Sequence, residues 1–254
     1  MRFNLNGGIL IALALFMMCW LGGCATSPAD SSGQTASASP GAQIAADIAN
    51  SEDPTAGLPT LAGQATVEMV VNGASITISL DGDRAPVTAG NFLDLVNRGV
   101  YDGLSFHRVV REPQPFVVQG GDPQSNDPQI PPQRLGTGSF IDPVTNAPRY
   151  IPLEIRPESA EQPLYNQTFE AAAIAEAPAL PHYRGAVAMA RSQAVDSASS
   201  QFYIALTDLP FLDGSYAVFG FVKDGMAVVD EIQQGDVIEF ARVVDGLENL
   251  QTSN

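Results

Sequence analysis

Ser105-Phe-His-Arg-Val-Val110 and Phe116-Val-Val-Gln-Gly-Gly-Asp122 are separated only by Arg111-Glu-Pro-Gln-Pro115. Aromatic and β-branched residues bounded by prolines and paired glycines read as two short neighbouring strands, 106–110 and 116–119. Upstream, Val67, Met69 and Val71 alternate with Thr66, Glu68 and Val70, and Ile76, Ile78 and Leu80 alternate with Thr77 and Ser79. Asn72-Gly73 joins these two runs, and a two-residue turn needing φ > 0 at both positions marks a hairpin. Pro86 then opens a helix whose Ala89, Phe92, Leu93 and Val96 recur at helical spacing, and Gly99 closes it. Downstream come strand-like runs at 186–190, 201–206, 218–222 and 237–244, with a second helical segment at 226–233. Residues 123–181 hold 11 of the 19 prolines and read as a long loop region. Many short strands with two helices predict a mainly β fold, a closed or nearly closed barrel capped by helices.

Of 254 residues, 45% are hydrophobic, enough to fill a core and to exclude wholesale disorder. The 28 Asp+Glu against 12 Lys+Arg leave a net charge of −16, so a nucleic-acid partner is not expected: a polyanion would be repelled. The acidity reads as solubility, with attraction to basic clients as the other reading. Cys19 and Cys24 both lie near the N-terminus, which leaves no disulfide framework or cysteine metal site. His107 and His182 have no ligand-like spacing. No metal or cofactor is expected.

Arg2 precedes an apolar run from Ile9 to Leu21 that ends in Leu21-Gly22-Gly23-Cys24. A positive start and a greasy middle fit an export signal, and the final four residues resemble a bacterial lipobox, with Cys24 as the lipidation site. The run is short for a bilayer span. Alternatives are an uncleaved anchor or ordinary secretion. Residues 24–63 are rich in Ser, Ala, Thr, Pro and Gly and read as a flexible linker. The expected layout is therefore a signal peptide at 1–23, the linker, a globular domain at 64–246 and a tail at 247–254. It places the domain outside the cytoplasm, on a membrane, at a periplasmic or lumenal face.

His-Glu-x-x-His, Gly-x-Ser-x-Gly and a phosphate loop ending in Gly-Lys-Ser/Thr are all missing from the sequence. Gly136-Thr137-Gly138 reads as a turn. Three segments stand out together: 105–122, Ala188-Met-Ala-Arg-Ser192 leading to Ser199-Ser-Gln-Phe-Tyr-Ile204, and Phe211-Leu-Asp-Gly-Ser-Tyr-Ala-Val-Phe-Gly220. With Arg84-Ala-Pro-Val-Thr-Ala-Gly-Asn-Phe92 and Phe219-Gly-Phe-Val-Lys-Asp-Gly-Met226, they resemble the cyclophilin family of peptidyl-prolyl cis/trans isomerases over roughly residues 65–245. The resemblance implies a closed eight-stranded β-barrel capped by two α-helices. It also implies proline-containing polypeptide clients and a monomer.

Such chemistry breaks no bond. Rotation about a peptide bond meets a barrier of about 18–20 kcal/mol from amide resonance, and X–Pro exchange is slow although its isomers are close in energy. A site must grip the proline and favour the twisted amide over both planar forms. The resemblance implies Arg108 as the catalytic group, with Phe116, Val117, Tyr203 and Leu212 forming the proline pocket. Gln119 and Gln201 would hold the substrate backbone and orient Arg108, and Ala190 and Arg191 would make main-chain contacts along the groove. Phe211 and Tyr216 complete the binding set, standing where many eukaryotic members have Trp and His. Arg191 stands where many have Asn. Tyr203 replaces a more usual Phe and would add a hydroxyl to the pocket rim. His107 reads as a structural histidine with its hydrogen bonds satisfied. The alternative to an enzyme is a non-catalytic proline-segment binding or chaperone module.

Overall fold

A computed structural model describes residues 53–252. The signal segment, Cys24 and most of the expected linker lie outside the described residues. Eight strands form one antiparallel sheet: β1 (Gln64–Val71), β2 (Ala74–Asp81), β3 (Arg108–Val110), β4 (Val117–Gly120), β5 (Ala186–Met189), β6 (Phe202–Ala205), β7 (Val218–Asp224) and β8 (Ile238–Asp245). Their spatial order is β8-β1-β2-β7-β5-β6-β4-β3. Two helices accompany them among the described residues, α1 (Pro86–Asn97) and α2 (Met226–Glu231). Each expected strand and helix is present. The β1–β2 turn has φ of 52° at Asn72 and 72° at Gly73, as a two-residue hairpin requires.

The sheet curls into an open half-barrel, which corrects the expected closed barrel. β3 and β8 stand at its two edges and share no ladder. The chain leading into β3 meets the start of β8 through one bridge, Ser105 to Val237, and through bonds from Gly103 N to Ile238 O and Ile238 N to Leu104 O, both 2.8 Å. Further along β8 a carboxylate stands in for a strand: Asp102 accepts the Ala241 N–H at 3.0 Å.

Side chains alternate across a strand, and the two sets have separate fates here. Val118, Phe202, Ile204, Val187 and Met189 join the main core with α1. Val117, Tyr203, Ala205, Ala186 and Ala188 form a second cluster on the other face. Residues Val87 to Val96 of α1 are all buried. At Gly90 a Cβ would lie 2.5 Å from Thr60 Cα, so only glycine lets the helix approach the strand at Thr60–Leu61 this closely.

That strand alters the expected boundaries. Thr60–Leu61 pairs with Leu250–Gln251, and Leu61 is buried in the core. The folded body thus takes in the end of the expected linker and the start of the expected tail.

Ala85 precedes α1 and offers no side-chain cap. Glu154, far along the chain and fully buried, supplies it. Its Oε1 accepts from Val87 N at 3.1 Å and from the Tyr165 hydroxyl at 2.8 Å, and its Oε2 accepts from Thr88 N at 2.7 Å. Burial pushes this carboxyl up, and the donors oppose the shift. A carboxylate at a helix N-terminus also meets the positive end of the dipole. Glu154→Gln places an amide NH₂ against Thr88 N–H and leaves that donor unpaired. Chemical denaturation is expected to show a loss of about 2 kcal/mol. An unchanged midpoint would remove Glu154 as the cap of α1.

Candidate active site

Strand register assembles the site. Arg108 on β3 lies opposite Gln119 on β4, Gln119 lies opposite Tyr203 on β6, and Tyr203 lies opposite Ala188 on β5. Cross-strand neighbours share a face, so a cation, an amide, a phenol and a small residue stand side by side on the face away from the core. The alanines of the second cluster leave space above the sheet. Val117 joins this face two residues before Gln119.

Arg108 is exposed, and its Nη1 donates to Gln119 Oε1 at 3.2 Å. Gln119 Nε2 donates to Gln201 Oε1 at 3.3 Å, and Gln201 Nε2 donates to the Gly138 carbonyl at 2.9 Å. The two glutamines form an amide chain that fixes the guanidinium from one side. On the other side Arg108 Cζ lies 5.6 Å from the centre of the Phe116 ring, within cation–π range.

Beside Arg108 is a hollow of about 240 Å³, lined by Phe116, Val117, Gln119, Ala190, Arg191, Tyr203, Leu212 and Tyr216 together with Arg108 itself. Its lining has two arginines and no carboxylate, in a chain of net charge −16. The 3₁₀ turn Pro210–Leu212 carries Leu212 into the wall. Phe211 does not line it. That ring is 70% exposed and stacks on Phe116 at 6.0 Å, shielding the pocket residue from outside. Arg191 stacks on Tyr216 at 4.7 Å while its Nη2 donates to Ser215 O at 2.7 Å, so side chain as well as main chain builds that end.

Gln201 opens instead onto an adjoining hollow of about 380 Å³ that shares Gln119, Ala190 and Arg191 with the first. Its far wall is Gly136–Thr137–Gly138, the expected turn. Buried Asp122 holds this wall by accepting the N–H groups of Gly136 and Gly138.

The chemistry is consistent with the fold's relatives. A family model described as cyclophilin type peptidyl-prolyl cis-trans isomerase/CLD matches residues 66–252. The chain belongs to the cyclophilin family. A thylakoid lumen peptidyl-prolyl cis-trans isomerase of Synechocystis is 41% identical over 78% of this chain and 52% of its own length. The chloroplastic isomerase CYP38 of Arabidopsis thaliana is 39% identical over 76% of this chain and 45% of its own. The chain thus spans about half the length of these relatives. A peptidyl-prolyl cis-trans isomerase of Helicobacter pylori, 34% identical, is covered over 87% of its length and matches 70% of this chain. Among solved structures, a cyclophilin from Hirschia baltica superposes with a TM-score of 0.51 at 21% identity, covering 73% of this chain and 76% of its own, a likeness of fold.

Within this cyclophilin the residues singled out in the sequence gather at one place, apart from Cys24, which lies outside the described residues. Besides Phe211, which was expected in the binding set and stays outside the hollow, two details differ from expectation. The Tyr203 hydroxyl is not at the rim: it points under the pocket to His182 Nε2 at 2.9 Å. The His107 ring nitrogens are buried without a hydrogen-bond partner among the described residues, so that histidine is not satisfied as expected. Burial holds its pKa below the ordinary histidine value. Sequence reasoning missed His182, Asp213 and Asp122. Their only sequence signal is polar identity beside apolar runs, which many surface residues share.

Proposed function

We propose that this cyclophilin accelerates cis/trans isomerisation of X–Pro bonds in exported proteins, with Arg108 as the catalytic group. The observation that carries this reading is the Arg108 guanidinium, held by Gln119 and Phe116 at the edge of a hollow of about 240 Å³ whose apolar wall is Phe116, Val117 and Leu212. The proline ring enters between Phe116, Val117, Leu212 and Tyr203. Gln119 and Gln201 take the substrate backbone through their amides. As the imide twists, resonance is lost and its nitrogen regains a lone pair, while the carbonyl oxygen rotates towards the cation. Arg108 donates to both atoms more strongly in that twisted state than in either planar one, and such differential binding lowers the barrier. Each tenfold acceleration needs about 1.4 kcal/mol of this preference.

Exchange NMR on an Ala-Pro peptide with the whole chain tests the activity directly. Faster cis/trans exchange is expected. A folded chain that binds the peptide without accelerating exchange would establish the binding-module alternative and overturn the isomerase.

The clients are proline-containing segments of proteins that fold after export, met by the chain as a membrane-held monomer. Two observations support this location: the Leu21-Gly22-Gly23-Cys24 motif, and relatives whose names place them in the thylakoid lumen and chloroplast. Lipid on Cys24 supplies the anchor, and two or more acyl chains hold a protein where a single one does not. Cys24→Ser is expected to abolish fatty-acid labelling and move the protein from membrane to soluble fractions. Labelling that persists in the mutant rules out acylation at Cys24.

A further inference from the structure

Beneath the proline pocket three polar side chains form a line that the isomerisation itself does not use. Asp213 Oδ1 lies 2.8 Å from His182 Nδ1 and also accepts the His182 backbone N–H at 2.8 Å. His182 Nε2 lies 2.9 Å from the Tyr203 hydroxyl. His182 is 2% exposed and Tyr203 5%, and their rings are stacked, with 6.1 Å between centroids. Tyr203 is also part of the pocket lining. We propose that His182 is a positioning residue for proline recognition: braced by Asp213, it draws the Tyr203 hydroxyl proton out of the pocket and keeps the pocket floor apolar. This rests on the proposed reading of that hollow as the proline site.

Donor and acceptor roles in the line follow from its ends. The Asp213 carboxylate only accepts, so the proton between it and the imidazole sits on Nδ1. Nε2 is then bare and can only accept. Tyr203 is the donor, and burial pushes the phenol pKa up, so it keeps its proton. Burial also holds His182 below the ordinary histidine pKa, against the pull of Asp213, which favours the neutral ring this arrangement requires.

Protonation reverses the line. A charged imidazolium carries hydrogens on both nitrogens, so Nε2 becomes a donor to the Tyr203 oxygen and the phenol proton must find another acceptor. Asp213 and Tyr203 are the groups that face the ring. Beyond the hydroxyl stand Tyr216, edge-on to Tyr203 at 6.1 Å, and Arg191, stacked on Tyr216; the arginine offers no acceptor. Arg184, the next charge along the chain, is engaged with Asp230 at 2.6 Å and, through its backbone N–H, with Asp208 at 2.7 Å. The displaced O–H therefore turns into the hollow, where Gln119 and Tyr216 are its neighbours, and puts a polar group into the floor on which a proline ring would rest.

The test uses the whole chain and an Ala-Pro peptide. Ring ¹⁵N NMR at about pH 7.5 is expected to find His182 neutral with its proton on Nδ1. Peptide affinity, read by NMR titration in parallel, is expected to weaken about tenfold as the ring ¹⁵N signals show His182 becoming charged on acidification, the cost of one displaced hydroxyl in the floor. Because the hydroxyl acts on binding, KM carries the change and kcat moves less. In Tyr203→Phe, which keeps the ring and loses the hydroxyl, the affinity profile is expected to be flat over the same range. A proton on Nε2 at neutral pH overturns the proposal without any variant. So does a wild-type affinity that stays flat while the ring signals show His182 charging, or the same fall in Tyr203→Phe. Exchange rates recorded in parallel separate the two readings. Peptide binding with the pH step but no exchange removes the isomerase and leaves the proline site, whereas exchange with pH-independent affinity removes the role of His182 alone.

Discussion

In Arg108→Ala, X–Pro exchange is expected to fall by about a hundredfold or more, while peptide affinity falls only a few fold. The asymmetry follows from where the guanidinium stands. In the proposed complex the proline is gripped by Phe116, Val117, Leu212 and Tyr203, all of which remain in the variant, and the Gln119–Gln201 amide chain survives because it ends on the Gly138 carbonyl, not on Arg108. What disappears is the donor at the edge of the hollow, whose worth is greatest when the imide nitrogen has regained its lone pair. Arg108 is exposed and on a short edge strand, so its removal opens no cavity and the fold should persist. Arg108→Lys keeps the charge but loses the planar fork, and is expected to recover only part of the rate. Exchange NMR alongside peptide titration reads both quantities. Equal loss of rate and affinity would show that Arg108 binds the ground state as well as the twisted one and would remove it as the catalytic group.

Phe92→Ala is expected to cost about 3–5 kcal/mol of stability, a large part of the 5–15 kcal/mol typical of a folded domain. Phe92 is completely buried on α1 and is the hub of an aromatic cluster, with centroids 5.0 Å from Tyr101, 5.4 Å from Phe202 and 4.9 Å from Phe219. These neighbours belong to the loop before β3, to β6 and to β7, so one side chain ties the helix to the middle of the sheet and to the loop entering its edge strand. Neither Phe202 nor Phe219 can close the gap without leaving its strand register. Phe202 is adjacent to Tyr203, so the pocket floor should loosen as the core does. Urea denaturation measures the first effect. A loss below about 1 kcal/mol would mean the cluster relaxes into the space, contrary to the close packing of protein interiors.

Much of the site was legible because a strand's period and a family's motifs are written in consecutive residues. Arg108, Gln119 and Tyr203 fall at positions whose alternation alone sends them to a common side once their strands are neighbours. The roles proposed for them rest on the cyclophilin motifs, since no arrangement of charge or nucleophiles in the chain would mark a site for a reaction that breaks no bond. His182 was not legible as part of it. A histidine three residues before a glycine and an alanine-rich strand carries no pattern, and its two partners lie 21 and 31 residues away.

The sequence by itself determined the local elements: the hairpin at Asn72-Gly73, the helix opened by Pro86, the run of short strands and the long proline-rich segment. Each depends on φ preferences and periodicity among residues a few positions apart, which the chain carries wherever it is placed. Only the tertiary structure decided that the sheet stays open, because that depends on how residues 102–106 meet the start of β8 rather than on either strand's composition. It alone decided that Glu154 caps a helix starting 68 residues earlier and that Thr60–Leu61, at the end of the expected linker, pairs with Leu250–Gln251 in the expected tail. It alone placed Asp213 and His182 beneath Tyr203. Buried polar groups need partners, but any of several acidic or hydroxyl residues could satisfy them. The choice is made by which segments the packed core brings within about 3 Å of one another.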